Sequence, residues 1–227
     1  PNTGGKTVLL KSVGLLGAMA QSGIIPPVGA GSQLPVFTRF FADIGDHQSL
    51  AANLSTFSAH LAALRNILSE ADPATLVLLD EIGSGTDPTE GAALAAAALL
   101  SLTRRGKTTL ATTHLGALKT LPERDPGIVN ASLQFDAETI RPTYRFEKGV
   151  PGRSYGLAIA RRLGIDPDVL AEAEADVPRA ARTLDALLAD AERRTRALEA
   201  SEATLAMRDV ESEARAARLA AELEAVE

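Results

Sequence analysis

The chain has no cysteine and no tryptophan, and only two methionines and two tyrosines among its 227 residues. Without cysteine there can be no disulfide, no thiolate metal site and no cysteine nucleophile, a composition that suits a reducing cytosol. A long hydrophobic run is also missing. The longest, Gly91 to Leu102, is alanine-rich and only 12 residues long, short of the roughly 20 that a bilayer crossing needs. A strong charge of one sign is absent too. The formal charge is −6, and residues 183–227 hold 11 acidic and 6 basic side chains, net −5, which leaves −1 for residues 1–182. A near-neutral body has no electrostatic footprint for gripping a phosphate backbone on its own, so nucleic-acid contact would depend on other regions or a local patch. There is no initiator methionine and no signal-peptide pattern, and the chain opens inside a glycine-rich loop. We therefore expect a soluble, cytoplasmic protein without membrane partners, seen here as a piece of a longer one.

What is present reads as alternating α and β. Apolar residues from Val8 to Met19 suit a buried helix over Thr7 to Gln21, ended by Gly23 and the Pro26-Pro27 pair. Val36 to Ile44 is β-branched and aromatic and predicts a strand. Leu50, Leu54, Phe57, Leu61, Leu64 and Leu68 step by three and four, which predicts one amphipathic helix or two in series. Leu76 to Leu79 is a continuous apolar run, the pattern of a central strand buried on both faces. A helix over Thr89 to Leu102 and a strand over Thr108 to Thr113 follow, then a hairpin of Ala131 to Phe135 with Thr143 to Glu147. Beyond Gly149 the pattern turns helical: Tyr155 to Leu163, a helix opening at Asp166-Pro167, and after Pro178 a long tract with neither proline nor glycine. The heptad there is half-written. Leu184, Ala191, Leu198, Leu205, Leu219 and Val226 hold one position, while Arg194, Ser201, Arg208 and Glu222 occupy its partner, so a linker helix or weak coiled coil is expected. This reading divides the chain into an α/β core at 1–150, a helical element at 151–178 and a linker helix at 179–227.

The chemistry-bearing pattern begins at once. Gly4-Gly5-Lys6-Thr7 matches the end of G-x-x-x-x-G-K-[ST], whose first glycine would be expected one residue ahead of Pro1. In such a loop, backbone N–H groups at a helix N-terminus surround the β-phosphate, the lysine reaches the β/γ oxygens and the hydroxyl coordinates Mg²⁺. Roughly 70 residues on, the apolar strand ends in Asp80-Glu81. Alone, such acids could be a solvated strand end. Beside a phosphate loop, Asp80 would bind the metal through water and Glu81 would position or activate the attacking water. Thr112-Thr113-His114 follows another strand. Its imidazole is either a sensor of the γ-phosphate or a loop histidine bonded to backbone, and His47 and His60 read as histidines of the second, bland kind.

Together these stretches resemble the ATPase domain of the MutS family, relatives of the ABC-type ATPases. The resemblance rests on Pro1 to Thr7, Ser55-Thr56-Phe57, Leu78 to Pro88, Ala111 to His114 and Ser154 to Ala160, and it runs over nearly all of Pro1 to Asp176. No Leu-Ser-Gly-Gly-Gln type signature of an ABC transporter subunit appears. Asp43 to Ser49, Asn53 to Ser58 and the acidic helical tail are more similar to the family's second bacterial branch than to its mismatch-repair branch. The resemblance implies an α/β fold, a P-loop NTPase of the ABC-like type with a helical dimerisation element and a long C-terminal helix. ATP and Mg²⁺ are the implied cofactors. Pro1, Asn2, Thr3, Gly4, Gly5, Lys6 and Thr7 would hold the nucleotide, Thr7 and Asp80 the metal, and Lys6, Glu81 and His114 would be catalytic. Gln48 looks like a metal- and phosphate-sensing position. Ser55 or Thr56 would approach the γ-phosphate of the opposite subunit, and Ser84 to Asp87 would line the seam of a homodimer.

For the whole protein, the resemblance implies an ATPase that acts on branched or recombining DNA and restrains homologous recombination. Two alternatives stand beside it: a factor that splits stalled or collided ribosomes, and, ranked last, a mismatch-repair sensor. The chain taken alone is expected to hydrolyse ATP weakly or not at all, because part of the phosphate cradle and the trans contacts would be missing. A nuclease domain is not expected within it.

Overall fold

The computed structural model describes residues 5–45, 56–136, 141–153 and 155–224. They form two compact units, residues 1–152 and 153–227.

The first unit is built around the strand the sequence marks most clearly. Strand β2 (Thr75–Leu79) is buried at every position, and parallel β1 (Arg39–Asp43) and β3 (Thr108–Ala111) flank it in the order β1-β2-β3. Because successive side chains of a strand point to opposite faces, the apolar run feeds two cores at once. Leu76 and Leu78 pack with Leu10 and Phe37 beside helix α1 (Lys6–Gln21). Val77 and Leu79 pack with Leu64 and Ile67 of α2 (Thr56–Glu70) and with Ala98 and Leu102 of α3 (Pro88–Arg104). A strand covered on both sides needs apolar residues at consecutive positions, which is why its sequence shows no alternation.

Strand β1 is shorter than the β-branched run from Val36 suggests. Pro35 has no N–H, and both backbone polar groups of Phe37 are taken by one side chain: Gln21 Nε2 donates to Phe37 O (2.7 Å) and Phe37 N donates to Gln21 Oε1 (2.9 Å). With its ladder groups used in this way, Phe37 serves as a core residue ahead of the strand.

Helix α3 begins as its sequence dictates. Asp87 accepts hydrogen bonds from the N–H groups of Thr89 (2.9 Å) and Glu90 (3.2 Å), and Pro88 takes the first helical position. The Glu90 and Thr89 N–H groups hold the Asp87 carboxyl below the usual carboxylate range. The small side chains Ala92, Ala95 and Ala96 then pack against Leu115, Leu118 and Leu121, which belong to a 3₁₀ turn (Gly116–Thr120), the residue before it and α4 (Leu121–Arg124). Strands β4 (Ala131–Asp136) and β5 (Arg141–Lys148) form a separate antiparallel pair.

The second unit is helical. Helices α5 (Gly156–Arg162) and α6 (Pro167–Asp176) are joined by an Arg161–Glu174 ion pair, and Asp166 caps α6 through the N–H of Asp168 (2.8 Å). Arg153 lies 5.3 Å over the Tyr155 ring and meets both carboxylate oxygens of Asp185 on α7 (Arg179–Glu224) at 3.2 and 2.9 Å. Helix α7 is 46 residues long, and Leu198 and Leu205, two residues of the half-written heptad, are 65% and 55% exposed. Among the described residues no helix is long and apolar enough to cross a membrane.

Candidate functional site

In a parallel α/β sheet the carboxyl ends of the strands share one edge, and ligands bind there. Asp43 closes β1, Asp80 follows β2 and Thr112 follows β3, with the amino end of α1 beside them. Gly5 precedes that helix at φ 75°, a left-handed backbone that glycine adopts without strain. The turn places Lys6 and Thr7 in the first helical positions, where unpaired N–H groups and the helix dipole favour an anion.

Thr7 Oγ1 donates to Asp80 Oδ2 at 2.5 Å, so two segments 73 residues apart in the chain converge on one carboxylate. The other carboxylate oxygen is held as well. Thr112 Oγ1 donates to Asp80 Oδ1 at 2.5 Å and accepts from the N–H of Glu81 at 2.9 Å. Backbone bonds tie the segment to both neighbouring strands: Asp80 N to Asp43 O (2.8 Å), Ile82 N to Thr112 O (2.9 Å) and Thr112 N to Leu79 O (2.8 Å). Between these anchors Glu81 adopts φ 49°, which is uncommon outside glycine and marks a backbone held by its surroundings. The effect is to leave the Asp80 residue buried at 9% exposure while the Glu81 side chain stands in solvent.

A hydroxyl and a carboxylate converging beside a phosphate loop are a donor set that fits Mg²⁺, which keeps several waters and takes one or two protein oxygens together with phosphate oxygens. His114 is exposed, but both of its neighbours are anchored. Thr113 Oγ1 donates to Ile82 O (3.3 Å) and accepts from Leu115 N (3.1 Å), and Leu115 is buried. The histidine thus stands at the same sheet edge, two residues past Thr112. Pro1 to Gly4, Gln48 and Ser55 lie outside the described residues, and Thr56 opens α2.

Three further side chains belong to this neighbourhood. Thr112, part of the Ala111 to His114 stretch but given no role by the resemblance, bridges the two acids. Its signal is the parallel register, which sets the residue after β3 beside the residue after β2. Tyr144 has φ 57° and is 68% exposed, and a Cβ at Gly5 would come within 2.9 Å of its ring; nothing in the local sequence singles it out. The third corrects an expectation. His60 does not lie in a loop: it sits on α2 with Nδ1 2.8 Å from the Asp43 carboxylate.

The family model described as MutS domain V matches residues 1–180. Curated relatives named Endonuclease MutS2 are 58% identical over 97% of the chain (Gemmatimonas aurantiaca), 49% over 89% (Geobacillus kaustophilus) and 52% over 86% (Thermomicrobium roseum). The chain spans about a quarter of the length of each, 26%, 26% and 24%. A phosphate loop joined to a strand-end carboxylate, over a match covering most of the residues, therefore assigns the chain to the MutS family as its domain V, the family's ATPase domain.

Proposed function

We infer that the chain binds Mg-ATP between the amino end of α1 and the Asp80 strand end, hydrolyses it as one half of a homodimer, and couples nucleotide state to a conformational change on branched or recombining DNA. The observation that carries the ATPase half of this reading is the 2.5 Å hydrogen bond from Thr7 to Asp80. In this reading Gly5 and the first N–H groups of α1 receive the β-phosphate, and Lys6 neutralises the β/γ oxygens. Thr7 and Asp80 hold the metal, which when bound supplies positive charge across the phosphates. Glu81 orients and deprotonates the attacking water, and His114 senses the γ-phosphate. Gln48, Ser55 and Thr56 keep the roles that family resemblance implies, the latter two across a dimer seam lined by Ser84 to Asp87. Residues 151–178 serve dimerisation and 179–227 act as a linker helix. Closure follows because γ-phosphate binds the closed arrangement better than the open one, and hydrolysis removes the difference.

Tyr144 supplies what the phosphate loop cannot, an aromatic face for the base. A ring two-thirds exposed beside Gly5 on a left-handed backbone gains little from burial, which supports a ligand as the reason for its position. Base–aromatic stacking is worth about 1–3 kcal/mol. Tyr144→Ala is therefore expected to weaken binding of a fluorescent ATP analogue by about tenfold, with Tyr144→Phe near wild type. Equal affinities in all three proteins would remove the ring from the site.

The relatives' name, endonuclease, belongs to those whole proteins; for this chain it supports nucleic acid as the target class. The test is retention of a four-way DNA junction or of purified ribosomes by the full-length protein at one fixed salt concentration, since phosphate contacts are salt-dependent. Junction binding that changes between ATP and ADP is expected. Retention of ribosomes alone would move the coupled reaction to the ribosome.

A further inference from the structure

Helix α2, whose first residue is Thr56, is fastened to the metal carboxylate by contacts that take no part in the hydrolytic chemistry. His60 lies one turn into this helix, and its Nδ1 stands 2.8 Å from Asp43 Oδ2. A carboxylate oxygen only accepts, so the imidazole donates through Nδ1, and that bond sets the orientation of the ring. Asp43 ends β1 with its side chain 7% exposed, and its backbone oxygen accepts the N–H of Asp80 at 2.8 Å. Two hydrogen bonds and one residue thus separate the helix from the metal carboxylate.

The same stretch of α2 also touches the loop beyond Glu81. A Cβ on Gly85 would lie 3.4 Å from Phe57 Cβ, and Phe57, His60, Asp80, Gly83 and Ser84 line one cleft between helix and loop. Packing alone does not require a polar pair here, because a buried ionic pair is generally no more stabilising than apolar residues of similar volume, while half of one is costly. What the pair adds over leucine is direction: a hydrogen bond sets one register between α2 and β1 where apolar contact would tolerate several.

We propose that His60 and Asp43 are positioning residues for the ATPase reaction, which hold the amino-terminal turn of α2 in register with Asp80 so that nucleotide binding at Asp80 is passed to the helix beginning at Thr56. The inference rests on the proposed ATPase reading. It goes beyond that reading in naming the element that responds and the bonds that make it respond.

The test uses the full-length protein with three substitutions. His60→Leu keeps the volume and removes the donor, His60→Asn keeps a donor close to the position of Nδ1, and Asp43→Asn keeps the shape and removes the charge. Steady-state kcat and KM, the affinity for a fluorescent ATP analogue, and backbone hydrogen exchange across α2 with and without a non-hydrolysable ATP analogue and Mg²⁺ are measured. Loss of an outer partner of a metal site lowers activity by about 10–100-fold, so kcat of His60→Leu is expected to fall in that range. Nucleotide affinity is expected to stay within about twofold, the mark of an effect on turnover and not on binding. The change in α2 protection caused by the analogue is expected to disappear in His60→Leu and to return, with most of kcat, in His60→Asn. Should His60→Leu not fold, Asp43→Asn carries the same expectation with a smaller loss.

Unchanged kcat in a folded His60→Leu would overturn the proposal, as would α2 protection that still responds to the analogue. A loss that His60→Asn shares in full would likewise reduce the pair to packing. If the wild-type protein hydrolyses no ATP, the ATPase reading fails and this inference with it. If the wild type turns over and His60→Leu matches it, the positioning role alone fails.

Discussion

Glu81→Gln is expected to leave nucleotide binding near the wild-type level and to lower ATP turnover by about 10²–10⁴-fold, the range that a positioned general base contributes. The substitution is informative because the backbone around it is so fully determined. Glu81 sits at φ 49° between the ladder bonds of Asp80 and Ile82, and its own N–H is held by Thr112 at 2.9 Å. Glutamine has the same shape and meets the same strain, so what is lost is the basic oxygen alone. The Asp80 contacts with Thr7 and Thr112 do not involve the Glu81 side chain, and metal and phosphate binding should persist. Steady-state ATPase rates and fluorescent-nucleotide affinity of the full-length protein check this. Turnover within about threefold of wild type would mean that Glu81 is not the base.

Gly91→Ala should lower stability by about 1–3 kcal/mol even though alanine is the better helix former by about 1 kcal/mol. Gly91 lies in the first turn of α3, and a Cβ there would stand 2.1 Å from the carbonyl oxygen of Gly83 and 3.1 Å from its carbon. These are backbone atoms with little freedom to move aside. Gly83 is itself at φ 81°, with its own Cβ position 2.6 Å from Gly91 O and 2.9 Å from the Leu115 side chain. Two glycines therefore let the loop after Glu81 lie directly on helix α3. The clash exceeds the gain in helix propensity, so the net sign is unfavourable. In a domain of this size, each kcal/mol corresponds to about 2–4 °C in Tm, and thermal unfolding by circular dichroism is the measurement. Because Gly83 is two residues from Glu81, kcat should fall together with Tm. A variant that melts higher than wild type would show that helix propensity outweighs the close approach.

Both substitutions also mark how far the sequence reads by itself. Glu81 can be singled out without coordinates, because an apolar strand ending in two acids downstream of a phosphate loop is the order of parts that nucleotide hydrolysis requires. Gly91 cannot. In a helix of alanines a glycine reads as a weak point, and its reason lies in a carbonyl eight residues earlier in the chain. Tyr144 is similar: a single tyrosine in a polar hairpin carries no signal until the strand pair places it against Gly5. His60 reads as a bland histidine, since a helix face with one histidine among leucines gives no hint of a carboxylate on a neighbouring strand. The predicted strand from Val36 is too long for a related reason. β-Branched residues report a tendency to extend, whereas the side chain of Gln21 decides that Phe37 leaves the ladder.

Local periodicity and short-range chemistry determined the order of the elements, the doubly buried strand β2 and the capped start of α3. Each of these depends on residues within a few positions of one another, and the chain carries that information directly. Tertiary structure alone decided which hydroxyls close on Asp80, where a helix could meet a loop without a side chain between them, and which carboxylate His60 would find. Those outcomes depend on the register of parallel strands whose partners lie more than thirty residues apart, and only the packed sheet brings such distant positions to one edge.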